Sequence, residues 1–178
     1  MAGLLTLFTA FTLVGTMFTG VASAAENDVA SDAVPGVQTL LFQLRPRYSP
    51  TKCLDNSQPG AVTLRACADP AADGQLWQVT ESTQGLSNIR SISGLCLDVA
   101  GAGTANGTPV GLFTCNGQNN QKFALQFVTG PYYQARAAHS LTRCLDVKND
   151  VPAEGAPLQL WDCLGSTQTN QQFKFVSA

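Results

Sequence analysis

Residues 158–173, LQLWDCLGSTQTNQQF, place an amide, an indole ring, a cysteine and an Asn-Gln pair within sixteen residues. Residues 110–123, VGLFTCNGQNNQKF, have a similar order of residue types. Self-similarity at a fixed period is the main sequence signature of a repeat architecture. The two segments therefore indicate that one structural unit occurs more than once in this chain.

The repeat is threefold. Three copies of x-Cys-Leu-Asp begin at Lys52, Leu95 and Arg143. A second cysteine follows in each copy at an interval of 48 residues, as Cys67, Cys115 and Cys163. Each copy then ends in Gln-x-aromatic, at Gln75–Trp77, Gln121–Phe123 and Gln171–Phe173. The predicted repeats cover about residues 41–84, 85–130 and 131–178.

The apolar runs in each copy predict strands. VTLRAC, PVGLF and PLQLW are short, alternate with polar residues and are separated by Gly, Pro, Asn and Asp. No window has the long 3.6-residue period of an amphipathic helix. Three units are too few for a closed propeller and too irregular for a solenoid. The sequence therefore predicts an all-β barrel to which each repeat adds several short strands.

The six cysteines all lie between Cys53 and Cys163. An even number in an exported chain of this size indicates three disulfides, for which 15 connectivities exist. If the pairing treats the three copies alike and each bond lies within one copy, the disulfides are Cys53–Cys67, Cys96–Cys115 and Cys144–Cys163. Metal ligation is disfavoured because the chain has no CxxC pair and a single histidine, His139.

The N-terminus resembles a secretory leader. Residues 3–25 carry no charge and end near Ala22-Ser23-Ala24, a small-residue pattern typical of signal-peptidase cleavage. The alternative is a membrane anchor, because no basic residue precedes the apolar run. We predict a signal peptide over 1–24, a flexible lead-in over 25–40 and a secreted, extracellular protein without stable membrane insertion.

Charge excludes some partners. The net charge is −2, only 12% of residues are charged, and Lys and Arg do not cluster. Nucleic-acid binding and polybasic membrane contact both require a basic face. We therefore expect neither a nucleic-acid partner nor an electrostatic membrane partner.

The third copy gathers residue types that suit a sugar. Strand alternation places Gln159 and Trp161 on one face, and a disulfide between Cys144 and Cys163 would bring Asp146 beside them. The same rule, applied to Asn170 and Gln171, predicts that their side chains point in opposite directions. A carboxylate accepts hydroxyl protons, an amide both donates and accepts, and an aromatic face covers the C–H side of a sugar ring.

These motifs resemble the ricin B-chain-type lectins, the family 13 carbohydrate-binding modules. The resemblance covers about residues 41–178 and rests on Cys-Leu-Asp, Gln-Leu-Trp-x-Cys and Asn-Gln-x-aromatic. It implies a β-trefoil fold. It also implies a sugar-binding, non-enzymatic protein without a cofactor, with a galactose-type sugar, glycoconjugate or polysaccharide as its partner.

The resemblance implies different sites in the three copies. The third copy has the full set: Asp146, Gln159, Trp161, Asn170 and Gln171. Asp146 and Asn170 would hold vicinal hydroxyls, Trp161 would stack, Gln159 would reach a peripheral hydroxyl and Gln171 would buttress the aspartate. Asp146 and Trp161 are both expected to face solvent, so that their removal would affect binding and leave stability nearly unchanged.

The other two copies depart from the pattern. The second copy offers a possible site of Asp98, Phe113, Asn120 and Gln121. It has Gly111 in place of Gln159, and its Asn comes five residues after the cysteine instead of seven. The first copy has Asp55 and Gln75, but Arg65 replaces the stacking ring and Gly74 replaces the Asn. We predict that the first copy does not bind sugar.

Two other residues and one alternative function complete the predictions. Asn106 begins an Asn-Gly-Thr sequence and is a possible N-glycosylation acceptor. His139 has no partner serine or cysteine pattern and is expected to be a surface or strand residue. The three motif aspartates lie in separate repeats, so the paired carboxylates of a glycosidase are not predicted. The alternative to a lectin is a protein-binding trefoil, such as a toxin cell-binding subunit or a protease inhibitor.

Overall fold

The computed structural model describes residues 39–149 and 151–178. The predicted signal peptide, and the lead-in up to residue 38, lie outside the described residues. The described residues belong to one compact unit, Gln38–Ala178. None of their helices is long and apolar enough to cross a bilayer.

The described chain contains twelve strands, four in each predicted repeat. The first four are β1 (Leu41–Pro46), β2 (Lys52–Asp55), β3 (Thr63–Ala66) and β4 (Trp77–Glu81). The next four are β5 (Ser87–Ser91), β6 (Cys96–Val99), β7 (Thr108–Phe113) and β8 (Phe123–Thr129). The last four are β9 (Tyr132–Ala137), β10 (Arg143–Val147), β11 (Leu158–Asp162) and β12 (Phe173–Ser177). Short 3₁₀ turns lie at Asp73–Gln75, Thr83–Gly85, Ala100–Ala102, Asn119–Gln121 and Thr169–Gln171.

The outer strands of the repeats close a barrel. The antiparallel pairs β1–β4, β4–β5, β5–β8, β8–β9, β9–β12 and β12–β1 form a ring of six strands. The inner strands form one hairpin in each repeat: β2–β3, β6–β7 and β10–β11. A six-stranded barrel with three hairpins is a β-trefoil, and the predicted fold class is confirmed. Closure leaves the barrel without an unpaired edge.

The core follows the repeated motifs. The aromatic residues that end the repeats, Trp77, Phe123 and Phe173, are all buried. The leucines of the three Cys-Leu-Asp motifs, Leu54, Leu97 and Leu145, are at most 1% exposed. Because neighbouring residues of a strand face opposite ways, each buried leucine leaves its aspartate on the other face of the hairpin.

Disulfides join each hairpin to the segment that follows it. The bonded pairs are Cys53–Cys67, Cys96–Cys115 and Cys144–Cys163, one in each repeat. The described residues contain no free cysteine. Each bond closes a loop of 14 to 19 residues, which in the chain-entropy model stabilises the fold by about 3 kcal/mol.

Candidate functional site

The hairpin register brings the site residues of the third repeat together. In the β10–β11 hairpin, Asp146 lies opposite Gln159 and Cys144 lies opposite Trp161. The other hairpins have the same register, which places Phe113 and Arg65 at the position of Trp161. The structure therefore supports the correspondence between repeats that the motifs suggest.

Asp146 is the centre of a hydrogen-bond network. Gln159 donates through Nε2 to Oδ1 of Asp146 at 2.8 Å. Asn170 donates through Nδ2 to Oδ2 at 2.9 Å, and Gln171 donates through Nε2 to the same Oδ2 at 3.0 Å. Asn170 also donates to the carbonyl of Val147 at 3.0 Å. The carboxylate thus fixes three amide side chains in one arrangement, and the buttressing role expected for Gln171 agrees with these contacts.

The prediction that Asn170 and Gln171 point in opposite directions is wrong. Strand alternation does not apply because both residues lie in the 3₁₀ turn Thr169–Gln171. Successive residues of such a turn are rotated by about one third of a turn, so two neighbouring side chains can converge on one partner. Here both amides donate to Oδ2 of Asp146.

The expectation that Asp146 faces solvent is also wrong. Its exposed fraction is 4%, and Gln159 and Asn170 are each 6% exposed. The carboxylate is buried because three amides surround it, as hydrogen bonding permits for a charge removed from water. Trp161 is half-buried and keeps part of its ring accessible.

These residues line a pocket of about 270 Å³. Its lining is Asp146, Lys148, Asn149, Gln159, Trp161, Leu164, Gln168 and Asn170. Oδ1 of Asn170 is buried and has no hydrogen-bond partner among the described residues. An unpaired buried acceptor is unfavourable unless a water or a ligand donates to it. The pocket is therefore lined by an aromatic ring and by a residue whose buried side-chain oxygen lacks a protein partner among the described residues.

The second repeat has the same polar network despite its shorter spacing. Asn120 donates to Oδ2 of Asp98 at 2.9 Å and to the carbonyl of Val99 at 3.1 Å. Gln121 donates to the same Oδ2 at 2.8 Å. The chain is two residues shorter between the cysteine and the 3₁₀ turn Asn119–Gln121 than in the third repeat. The turn itself is present in both repeats, so the contacts match those of Asn170 and Gln171. Phe113 is 58% exposed beside this network.

The surroundings of the second network differ from those of the third. Gly111 lies opposite Asp98, where the third repeat has Gln159. A Cβ atom at Gly111 would lie 2.6 Å from the carbonyl oxygen of Gly60, which belongs to the first repeat. No side chain fits there, and Asp98 is more exposed than Asp146. The resulting pocket is wider, about 550 Å³, and Phe113, Asp98 and Asn120 are among its lining residues.

In the first repeat, the motif aspartate accepts its hydrogen bonds from residues of the same repeat. Asp55 accepts hydrogen bonds at Oδ1 from the backbone N–H and the hydroxyl of Ser57, and at Oδ2 from Gln75. Nε of Arg65 lies 3.7 Å from Oδ1. A Cβ at Gly74 would lie 3.1 Å from the Ser57 nitrogen, so Ser57 occupies the space that an Asn side chain would need. Sequence comparison between the copies did not identify Ser57 as the replacement.

Asn106 and His139 both connect the second and third repeats. Asn106 is exposed, donates to the carboxylate of Asp162 and accepts from Arg143 at 3.0 Å. His139 Nε2 lies 3.0 Å from the carbonyl oxygen of Gly103. Glycosylation of Asn106 stays a prediction. No group of His, Cys, Asp and Glu in the described part of the chain is arranged to hold a metal ion.

Several pocket residues were missed by motif comparison: Lys148, Asn149, Leu164 and Gln168. Lys148 follows Asp146 by two residues, and its N–H donates to the carbonyl of Pro157 at 2.9 Å, which continues the β10–β11 pairing. Strand alternation alone could therefore have placed Lys148 on the face of Asp146.

Comparisons with known proteins agree with this architecture. The model of the ricin-type beta-trefoil lectin domain-like family matches residues 73–161 and 119–178. A search of curated proteins gave no significant match. Among solved structures, the designed threefold-symmetric protein ThreeFoil is 27% identical with a TM-score of 0.69, over 78% of this chain and 99% of its own.

Two similar structures are parts of larger proteins. The exo-β-1,3-galactanase 1,3Gal43A from Clostridium thermocellum is 25% identical with a TM-score of 0.69, over 80% of this chain and 31% of its own. The hemolytic lectin CEL-III is 29% identical with a TM-score of 0.63, over 76% of this chain and 30% of its own. This chain thus spans about a third of the length of each. Since the family model matches more than half of the chain, over residues 73–178, the chain belongs to the ricin-type β-trefoil lectin domain-like family of carbohydrate-binding proteins.

Proposed function

We propose that this chain is a secreted lectin that binds galactose-type or related sugars, mainly through its third repeat. The observation that carries the proposal is that Asn170, whose Oδ1 is buried and unpartnered, lines one pocket together with Trp161. A sugar hydroxyl can donate to that oxygen while the C–H face of the ring covers the indole. A ligand with both a hydroxyl group and an apolar ring face would therefore contact both Asn170 and Trp161.

The Asp146 network prepares the site for such a ligand. Gln159 and Asn170 are held by hydrogen bonds to Asp146, at 2.8 and 2.9 Å, before any sugar arrives. Ordering polar side chains in advance lowers the entropy lost on binding. A shallow pocket with one ring and few hydrogen bonds should still bind a monosaccharide only at about millimolar concentration, roughly −4 kcal/mol.

We assign a weaker role to the second repeat and none to the first. Asp98, Asn120 and Phe113 line one pocket, but Gly111 supplies no amide to it. In the first repeat, Ser57 and Arg65 already engage Asp55 and no aromatic ring takes the stacking position.

The arrangement favours binding without catalysis. Glycoside hydrolysis generally requires two carboxyl groups on either side of the scissile bond. Asp146 is the only carboxylate in the lining of the third-repeat pocket, and Asp98 is the only one in the lining of the second. Secretion is supported by the three disulfides, which are typical of oxidising compartments, and by the apolar leader. A galactose-type sugar is supported by the resemblance and by the similarity to a galactanase chain.

Trp161→Ala provides the test of the proposed site. Residues 25–178 are applied to a glycan array, and the glycans that bind are then titrated as free sugars against the wild type and the variant. We expect Trp161→Ala to abolish most monosaccharide binding, because the stacking surface is lost. Phe113→Ala removes the corresponding ring of the second repeat and should leave most of that binding intact. Unchanged binding by Trp161→Ala, or loss only in Phe113→Ala, would contradict the proposal.

One observation favours the alternative of a protein-binding trefoil. An apolar pocket of about 580 Å³ is lined by residues that include Phe42, Tyr133 and Phe175. Phe127, which is 61% exposed, packs edge-on against Tyr133 with ring centroids 5.9 Å apart. Apolar surface of this kind can mark a protein interface. A pull-down that recovers a protein despite excess sugar, together with an array that shows no glycan, would support this alternative.

A further inference from the structure

Between the pockets of the second and third repeats, only that of the third repeat is lined by a cation. Lys148 lines the pocket of the third repeat together with Asp146 and Trp161. It follows the motif aspartate by two residues, and the corresponding positions are Ala100 in the second repeat and Ser57 in the first. Ala100 likewise lines the pocket of the second repeat, so the two pockets differ in charge at one equivalent position.

The two charged residues of the third-repeat pocket differ in their exposure to solvent. Lys148 is exposed and forms no ion pair with a carboxylate of the described residues. The carboxylate that shares its pocket, Asp146, is 4% exposed and accepts hydrogen bonds from Gln159, Asn170 and Gln171. The positive charge of Lys148 is therefore more accessible than the negative charge of Asp146.

We propose that the third site prefers a sugar that carries an anionic group, a carboxylate or a sulfate ester, and that Lys148 sets this preference. The inference rests on the proposed function, because it assumes that the third pocket holds a sugar ring. Asn170 and Trp161 would position the ring, and Lys148 would contact an anionic substituent at the rim. The second repeat, with Ala100, would not distinguish charged from neutral sugars.

The expected effect is modest because the lysine is exposed. An exposed ion pair contributes about 0.2–1 kcal/mol, which corresponds to about a 1.5- to 5-fold difference in affinity. Salt screens such pairs, with a Debye length of about 10 Å at 0.1 M. The preference for an acidic sugar should thus decrease at high ionic strength, while binding of the neutral sugar should change little.

The experiment titrates residues 25–178 carrying Asp98→Ala, so that the third site is observed alone. The ligands are methyl galactoside, its uronate, its uronamide and its 6-sulfate, at low and high salt, followed by NMR. We expect the uronate, the sulfate or both to bind about 1.5- to 5-fold more tightly than the neutral galactoside and the uronamide. The uronamide separates charge from hydrogen bonding, and the two anions separate carboxylate from sulfate recognition.

Three variants then identify the residue. Lys148→Gln should remove the preference and keep binding of neutral galactoside, and Lys148→Glu should reverse it. Lys174→Gln makes the same change in net charge at a position outside the pocket lining and should preserve the preference. The inference would be wrong if the protein that retains Lys148 bound the charged and neutral ligands equally. It would also be wrong if the preference for anionic ligands remained in Lys148→Gln. Absence of binding by all four ligands would overturn the galactose assignment of the proposed function and the inference as stated, whereas equal binding by all four would overturn only the inference.

Discussion

At the scale of single residues, Asp146 has a structural role besides the binding role proposed for it. Its carboxylate is buried and accepts hydrogen bonds from three amides. A residue in this position cannot be removed without leaving donors unpaired. The same holds for Asp55, which is also 4% exposed and bonded to Ser57 and Gln75.

These contacts distinguish the effects of two matched variants. Asp146→Ala should abolish binding at the third site and lower the free energy of unfolding by about 1–3 kcal/mol, because buried amides lose their acceptor. Asp55→Ala should lower stability by a similar amount and leave sugar binding unchanged. Urea denaturation and sugar titration of both variants measure the two effects. Loss of binding in Asp55→Ala, or full stability of Asp146→Ala, would show that the roles are assigned wrongly.

At the scale of structural elements, equivalent hairpins differ through their neighbours. The β6–β7 and β10–β11 hairpins have the same register. The first-repeat segment at Gly60 approaches β7 so closely that Gly111 cannot carry a side chain without movement. A contact between repeats therefore decides that the second site has no amide opposite Asp98.

Gly111→Ala tests this contact. The new Cβ would meet the Gly60 carbonyl oxygen at 2.6 Å. Backbone must then shift, and overpacking of this kind generally costs about 1–3 kcal/mol. We expect a lower unfolding midpoint, and Gly111→Gln should be at least as unstable without improving second-site binding. A midpoint equal to that of the wild type would show that the Gly60 segment can move away at little cost.

At the scale of the whole molecule, three similar units share one core and one barrel. Each unit contributes two barrel strands and one hairpin, and its disulfide lies within the unit. Because the repeats close one barrel, the candidate sites of the second and third repeats are held on one body.

The disulfides permit a direct chemical test of this arrangement. Peptide mapping without reduction should recover Cys53–Cys67, Cys96–Cys115 and Cys144–Cys163. Replacement of both cysteines of one pair by Ala should lower the free energy of unfolding by about 3 kcal/mol, since a loop of that length is no longer closed in the unfolded chain. A peptide that joins Cys53 to Cys96 or Cys144 would refute the pairing.

Two sites on one body should act together on a multivalent ligand. Asp98→Ala should weaken binding to a galactose-bearing polymer more than binding to free galactose, because the second contact of a bound polymer occurs at high effective concentration. Surface plasmon resonance with the polymer and NMR with the free sugar provide the comparison. If both affinities fall equally, or neither falls, the second repeat does not contribute a separate site.

The repeated motifs were enough to predict the threefold repeat, the all-β class, the pairing of cysteines and the repeat with the most complete set of candidate site residues. These features are local, because Cys-Leu-Asp and Gln-x-aromatic fix the register and the buried face of one hairpin. Three features could not be predicted from the motifs: the burial of Asp146, the sharing of one carboxylate oxygen by Asn170 and Gln171, and the exclusion of a side chain at Gly111 by Gly60. Burial and close approach depend on contacts between segments far apart in the chain, and those contacts exist only when the three repeats have closed into one barrel.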